Sequence, residues 1–103
     1  MKKFKIFRDK DLERLKSKDI FLWNAYDRWI CFKLYYRKQH GVIFKHSQNY
    51  GLNLILLKNI KLSNEDFLRY MKWLSSNNKL NNFWSIKNNL NYYKQLKGTF
   101  GIL

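Results

Sequence analysis

The run Leu62-Ser63-Asn64-Glu65-Asp66-Phe67 constrains the fold of this chain more than any other segment. Ser63 is a residue type that accepts a backbone N–H at a helix start, and Asp66, three residues on, answers it as a capping-box acid. Leu62 and Phe67 occupy the two hydrophobic staple positions, and the acids of that first turn suit the helix dipole. Phe67, Tyr70, Met71 and Leu74 continue as an apolar stripe, which Asn77-Asn78 ends. A second helix is expected from about Leu80 to Lys97, with Leu80, Phe83, Trp84, Leu90 and Tyr93 at helical spacing and Gly98 beyond its end.

The middle of the chain carries a different period. Ile30, Phe32, Leu34 and Tyr36 alternate with Cys31, Lys33, Tyr35 and Arg37. Gln39-His40-Gly41 offers a turn into Val42-Ile43-Phe44, and Asn49-Tyr50-Gly51 another into Leu52 to Ile60. That order predicts a short antiparallel β-meander of three strands. Before it, one helix is expected over roughly Lys10 to Lys18 and a second ending near Trp29. A competing reading keeps Leu12, Leu15, Leu22, Tyr26 and Trp29 on one long helix running through Tyr36, and period alone does not decide between the two. The expected class is therefore α+β: amino-terminal helices, a β-meander, and two carboxy-terminal helices. No proline, glycine-serine linker or internal repeat divides residues 1–103, so a single basic domain is expected.

Lys and Arg number 21 against 7 Asp and Glu, a formal net charge of +14 on 103 residues. A domain of this size buries roughly two-thirds of its unfolded surface, which leaves little room for both a core and an elaborate active site. Hydrophobic residues at 46 % and aromatics at 18 % are nevertheless enough to exclude disorder as the default state. Cys31 is the single cysteine, so an intrachain disulfide scaffold is excluded as well. Phe, Ile, Lys, Asn and Tyr make up about half the chain while Gly, Ala, Arg and Pro are scarce, the usage expected of a very AT-rich genome. Codon bias does not explain the shortage of Asp and Glu, whose codons are themselves AT-rich in two positions.

Charges interrupt every apolar run before it reaches membrane-spanning length, and the basic start, Met1 to Arg8, lacks an apolar leader core. A soluble, unprocessed chain in an organelle matrix such as the mitochondrial one, or in a bacterial-type cytoplasm, is expected. Catalysis finds few groups. Residues 67–103 contain no carboxylate side chain, and Cys31, His40 and His46 are the only thiol and imidazoles. They match neither a nucleophile signature nor a zinc spacing, so no catalytic residue, metal or cofactor is assigned. Lys97 to Ile102 has a passing likeness to an RNA-binding sheet motif, but Thr99 is misplaced and the segment follows a helix.

What remains is a set of basic groups interleaved with rings. Lys and Arg neutralise phosphates and flat rings stack on unpaired bases, the combination that single-stranded or looped RNA calls for. The candidate contacts are Trp29, Tyr36, Arg37, Lys38 and Lys45 in the middle of the chain, and Arg69, Lys72, Lys79, Lys87, Lys94 and Lys97 in its acid-free remainder. Asn77, Asn78, Asn81, Asn82, Asn88, Asn89 and Asn91 add amides able to donate to phosphate and sugar oxygens. Size, charge and Lys/Asn bias are like those of small ribosomal proteins from AT-rich organelle genomes, a likeness of type without a shared motif. The leading expectation is a structural RNA-binding protein, a subunit of a mitochondrial or plastid ribosome that holds rRNA beside neighbouring proteins, with no transmembrane segment and no small-molecule substrate. The alternatives are an accessory subunit of another organellar assembly such as a respiratory complex, and a phage-encoded inhibitor of a nucleic-acid-binding host protein.

Overall fold

Where the sequence alternates from Ile30 to Arg37, the backbone is helical. The computed structural model describes residues 9–42, 44 and 50–100, and of residues 9–12 and 97–100 the backbone alone. Helix α1 is Asp9–Ser17, followed by a 3₁₀ turn at Ile20–Leu22, then α2 (Ala25–His40), α3 (Tyr50–Asn59), α4 (Asn64–Ser76), the single turn α5 (Ser85–Asn88) and α6 (Leu90–Phe100). Among the described residues there is no strand, so the α+β expectation gives way to an all-helical domain. The first expected strand lies inside α2 and the third falls mostly on α3; of the second, Val42 and Phe44 are not extended into a ladder and Ile43 lies outside the described residues.

The reason is the surroundings of α2. Asn24 accepts from the Asp27 N–H at 3.0 Å while the Asp27 carboxylate accepts from the Asn24 N–H at 2.9 Å, a reciprocal capping box that starts this helix. From there α2 packs against α1, α3 and α4, and Asp27 to Phe32 are all buried. Over Asp27 to Phe32 the helix is covered all round, so apolar residues occur on every face there, no amphipathic stripe shows, and the pattern imitates alternation. Its end is also informative. Gly41 takes φ 73° and donates its N–H to the Arg37 carbonyl at 2.8 Å, making it the left-handed cap of a helix instead of a hairpin turn. The short apolar run Leu52 to Leu57 is likewise a helix, with Asn53 and Leu57 turned inward one turn apart.

Helix α4 starts where the sequence placed it. Ser63 Oγ accepts from the Asp66 N–H at 3.0 Å, and Phe67, Tyr70, Met71 and Leu74 are fully buried. The stop at Asn77-Asn78 also stands, with Asn78 at φ 57°, a conformation asparagine tolerates. The last expected helix is broken: Leu80 to Trp84 form an irregular segment, α5 a single turn, and α6 runs on through Gly98. At the amino-terminal side the expected second helix ending near Trp29 is replaced by the 3₁₀ turn and a helix that continues to His40.

Two side-chain ties set the geometry of the helices. Arg28, 8 % exposed, donates to Asn64 Oδ1 at 2.8 Å and to the Leu57 and Leu62 carbonyls at 2.8 Å each. Asn64 in turn donates to the Ile20 carbonyl at 2.7 Å. At the opposite end of α2, Gln39 Oε1 accepts from the Leu80 N–H at 2.9 Å, and the His40 ring N–H donates to the Leu80 carbonyl at 2.8 Å. The start of α2 thus meets the start of α4, and its end meets the segment just beyond α4, so the two helices run side by side in parallel. Near the start of α2, Arg28 holds the Leu57 carbonyl in the last turn of α3 while Trp29 packs on Tyr50 in its first, so both ends of α3 are tied to that end of α2. The core between them is largely aromatic: Trp29 lies 5.3 to 5.6 Å from the rings of Phe32, Tyr50 and Phe83, and Tyr70 lies 4.7 Å from Tyr93. Large rings supply the volume that the scarce Ala and Val do not. No helix of the described residues is long and apolar enough to cross a membrane.

Candidate nucleic-acid interface

Parallel packing of α2 and α4 brings together cations that are far apart in the chain. Lys38, near the end of α2, and Lys72, in α4, line one groove with Tyr35, Gln39, Ser75 and Ser76, a space of about 420 Å³. Both lysines are exposed, and Lys38 Nζ stands 5.4 Å from the centre of the Tyr35 ring. Two ammonium groups beside hydroxyl and amide donors, with no acid among the described lining residues, form a surface complementary to a phosphate oxygen row. Arg37 is exposed in the same last turn of α2, and Lys79 is half-buried just past α4.

The acids with described side chains do not reach this groove. Asp27 is fully buried and accepts from Arg14 Nε at 2.6 Å and Lys18 Nζ at 2.7 Å. Burial pushes its carboxyl upward, but the hydrogen bonds from Arg14, Lys18 and the Asn24 N–H outweigh this and hold it below the usual carboxylate value. Asp66 accepts from Arg69 at 2.8 Å, so of the candidate contacts Arg69 is already paired with an acid. Asp19 and Glu65 stand near the same end, where Asn64 meets Ile20, and Glu13 is on α1.

A second basic cluster lies between α3 and the α5–α6 turn. Lys61, Lys87 and Lys94 line a groove with Leu56, Asn59, Ile60 and Leu90. Lys87 Nζ also stands 6.0 Å from the centre of the Trp84 ring, which is 53 % exposed. Lys61, Gln39, Ser75, Ser76 and Trp84 were not among the candidate contacts. Lys61 sits in a linker that reads as mere punctuation, and spacing along the chain does not tell whether Phe83 or Trp84 faces the core.

The remaining candidates are placed as follows. Trp29 is 2 % exposed and packed among rings, so it has no face left for a base. Tyr36 is half-buried, with the His40 ring 4.2 Å away and Phe44 5.0 Å away. Lys45 lies outside the described residues, and Lys97 is on α6 without a described side chain. His46 also lies outside them. The Cys31 thiol is buried, which pushes its pKa up to about 12, and at that value it is not a thiolate near neutral pH. His40 is engaged with the Leu80 carbonyl at 2.8 Å, more than two turns along α2 from Cys31.

No protein-family model, curated protein or solved structure matches the chain, so its functional reading rests on the geometry of these surfaces.

Proposed function

We propose that this is a structural RNA-binding protein that holds the phosphate backbone of folded RNA, most concretely as a subunit of an organellar ribosome. The observation that carries the reading is the groove where Lys38 and Lys72 converge beside Ser75, Ser76 and Gln39. Supporting it, Asp27 and Asp66 are engaged with Arg14, Lys18 and Arg69, while Arg37, Lys38, Lys72, Lys87 and Lys94 stay exposed. A rigid cationic helical surface of this kind fixes position through backbone contacts and leaves sequence choice to the RNA fold. The ribosomal setting is supported by the size, the charge and the Lys/Asn bias, and an organelle matrix is the corresponding place.

A second reading, an accessory subunit docked on protein in a respiratory or other organellar complex, is favoured by exposed Phe21, Leu22, Leu52 and Ile55, which are 56 to 68 % accessible. The two readings separate in one experiment. The full chain and an Arg37→Gln, Lys38→Gln, Lys72→Gln, Lys79→Gln variant are titrated with structured RNA from low to physiological salt. Wild type should bind with a steep log–log salt slope, and the variant's slope should shrink by about 0.7 to 0.9 per lost phosphate contact. No binding at low salt overturns the RNA reading, and a slope unchanged in the variant overturns the Lys38–Lys72 groove as the surface that carries it.

A further inference from the structure

We infer that Trp84 is a stacking platform for an unpaired nucleobase, with Lys61, Lys87 and Lys94 following the strand's phosphates in the adjoining groove; this rests on the RNA-binding reading above. The ring is held outward by its neighbours. Phe83, Ser85 and Ile86 are buried on either side of it in sequence, at 4 %, 7 % and 0 % exposure, while Trp84 itself is 53 % exposed. Ser85 Oγ accepts from the Asn81 and Asn82 N–H groups at 3.1 and 3.2 Å, and Asn82 Oδ1 accepts from the Ser85 N–H at 3.1 Å. The segment is anchored further by Leu80, whose N–H and carbonyl are held by Gln39 and His40. A flat indole on so fixed a turn pre-organises a stacking face at little entropic cost.

Charge selects the partner. Lys87 stands over the ring, and the groove that Lys87 lines also contains Lys61 and Lys94 and no acid among its described residues. Exposed Asn81, Asn82 and Asn88 surround the turn with amide donors. The other exposed apolar groups lack one of these features. Phe21 follows Asp19, whose carboxylate accepts its N–H and would repel a phosphate. Leu52 and Ile55 offer no flat face, and Tyr92 leans on Trp73, with ring centres 6.0 Å apart. An aromatic face polarised by a cation and flanked by a cationic groove fits a strand whose bases are free to stack, whereas duplex bases are already stacked on both sides.

The test compares an oligouridylate with an RNA duplex of equal length, both titrated at low salt against wild type, Trp84→Leu and Trp84→Phe of the full chain. Trp84→Leu should weaken single-strand binding about ten-fold and duplex binding by less than about two-fold, and Trp84→Phe should restore most of the loss. Oligouridylate should quench a component of wild-type tryptophan emission that is missing in Trp84→Phe, a readout that holds even if the Leu variant folds poorly. Steep salt-dependent RNA binding with no Trp84 effect overturns the stacking role and leaves the phosphate-groove reading standing, as does an equal loss on both RNAs. Absence of any RNA binding by wild type overturns both.

Discussion

Arg28 on α2 donates through Nε to the side-chain oxygen of Asn64 on α4 at 2.8 Å, joining positions 36 residues apart. The same guanidinium reaches the Leu57 and Leu62 carbonyls and lies 5.0 Å from the centre of the Phe67 ring. Burial lowers its pKa, though a guanidinium stays charged at any physiological pH. No carboxylate is among its partners in the described residues, so the positive charge is met by carbonyl dipoles at the end of α3 and beyond, where a helix favours a cation. This side chain ties α2 to α3 and α4 at one end, and Gln39 and His40 on Leu80 tie α2 at the other, beside Lys38.

Asn64→Ala should therefore cost about 2 kcal/mol, because Arg28 Nε and the Ile20 carbonyl both lose a half-buried partner. Arg28→Lys should cost at least as much, since a single ammonium cannot reach carbonyls and amide in a planar fork. Urea denaturation of the two variants measures this, and a midpoint unchanged from wild type would contradict the role given to the pair.

Asp27 predicts the acid limb of stability. Its folded pKa lies below the ordinary value of 3.8, so the unfolded chain binds the proton more readily. The stabilisation is fully present above that value and is lost as pH falls through the lower, folded value. Thermal denaturation should show the midpoint falling below about pH 5. Asp27→Asn should start less stable, since Arg14 and Lys18 lose their acceptor charge, and should show a shallower fall.

The two helix ends give a matched pair. Ser63→Ala removes the acceptor of the Asp66 N–H and should cost about 1 kcal/mol. Gly41→Ala meets no atom within 4 Å, so its cost, about 1 kcal/mol, comes wholly from forcing a side chain to φ 73°. Gly41→Asn should recover part of that loss, because asparagine tolerates the left-handed region. Equal stability of the alanine and asparagine variants would show that the backbone has shifted.

By itself the sequence determined the start of α4 and its buried stripe, the stop at Asn77-Asn78, a first helix close to Asp9–Ser17, and a charge imbalance with no acid after Asp66. These are local facts: a cap bonds to an N–H three residues away, an amphipathic stripe repeats every turn, and charge is a count. The helical state of residues 30–36 was decided by tertiary structure, since α2, packed by three other helices, loses the one-sided pattern that reveals a helix. Residues 52–57 are apolar on their exposed side too, with Leu52 and Ile55 at the surface, so no stripe reveals that helix either. The Asn24–Asp27 box and Gly41 did carry that answer, in a cap pair and a left-handed stop that read equally well as loop and turn. Tertiary structure also decided that Trp29 belongs to the core and Trp84 to the surface, and that Lys38 meets Lys72. Those outcomes depend on which helix faces lie against each other, and that is set by contacts such as Arg28 to Asn64 between residues that no spacing along the chain connects.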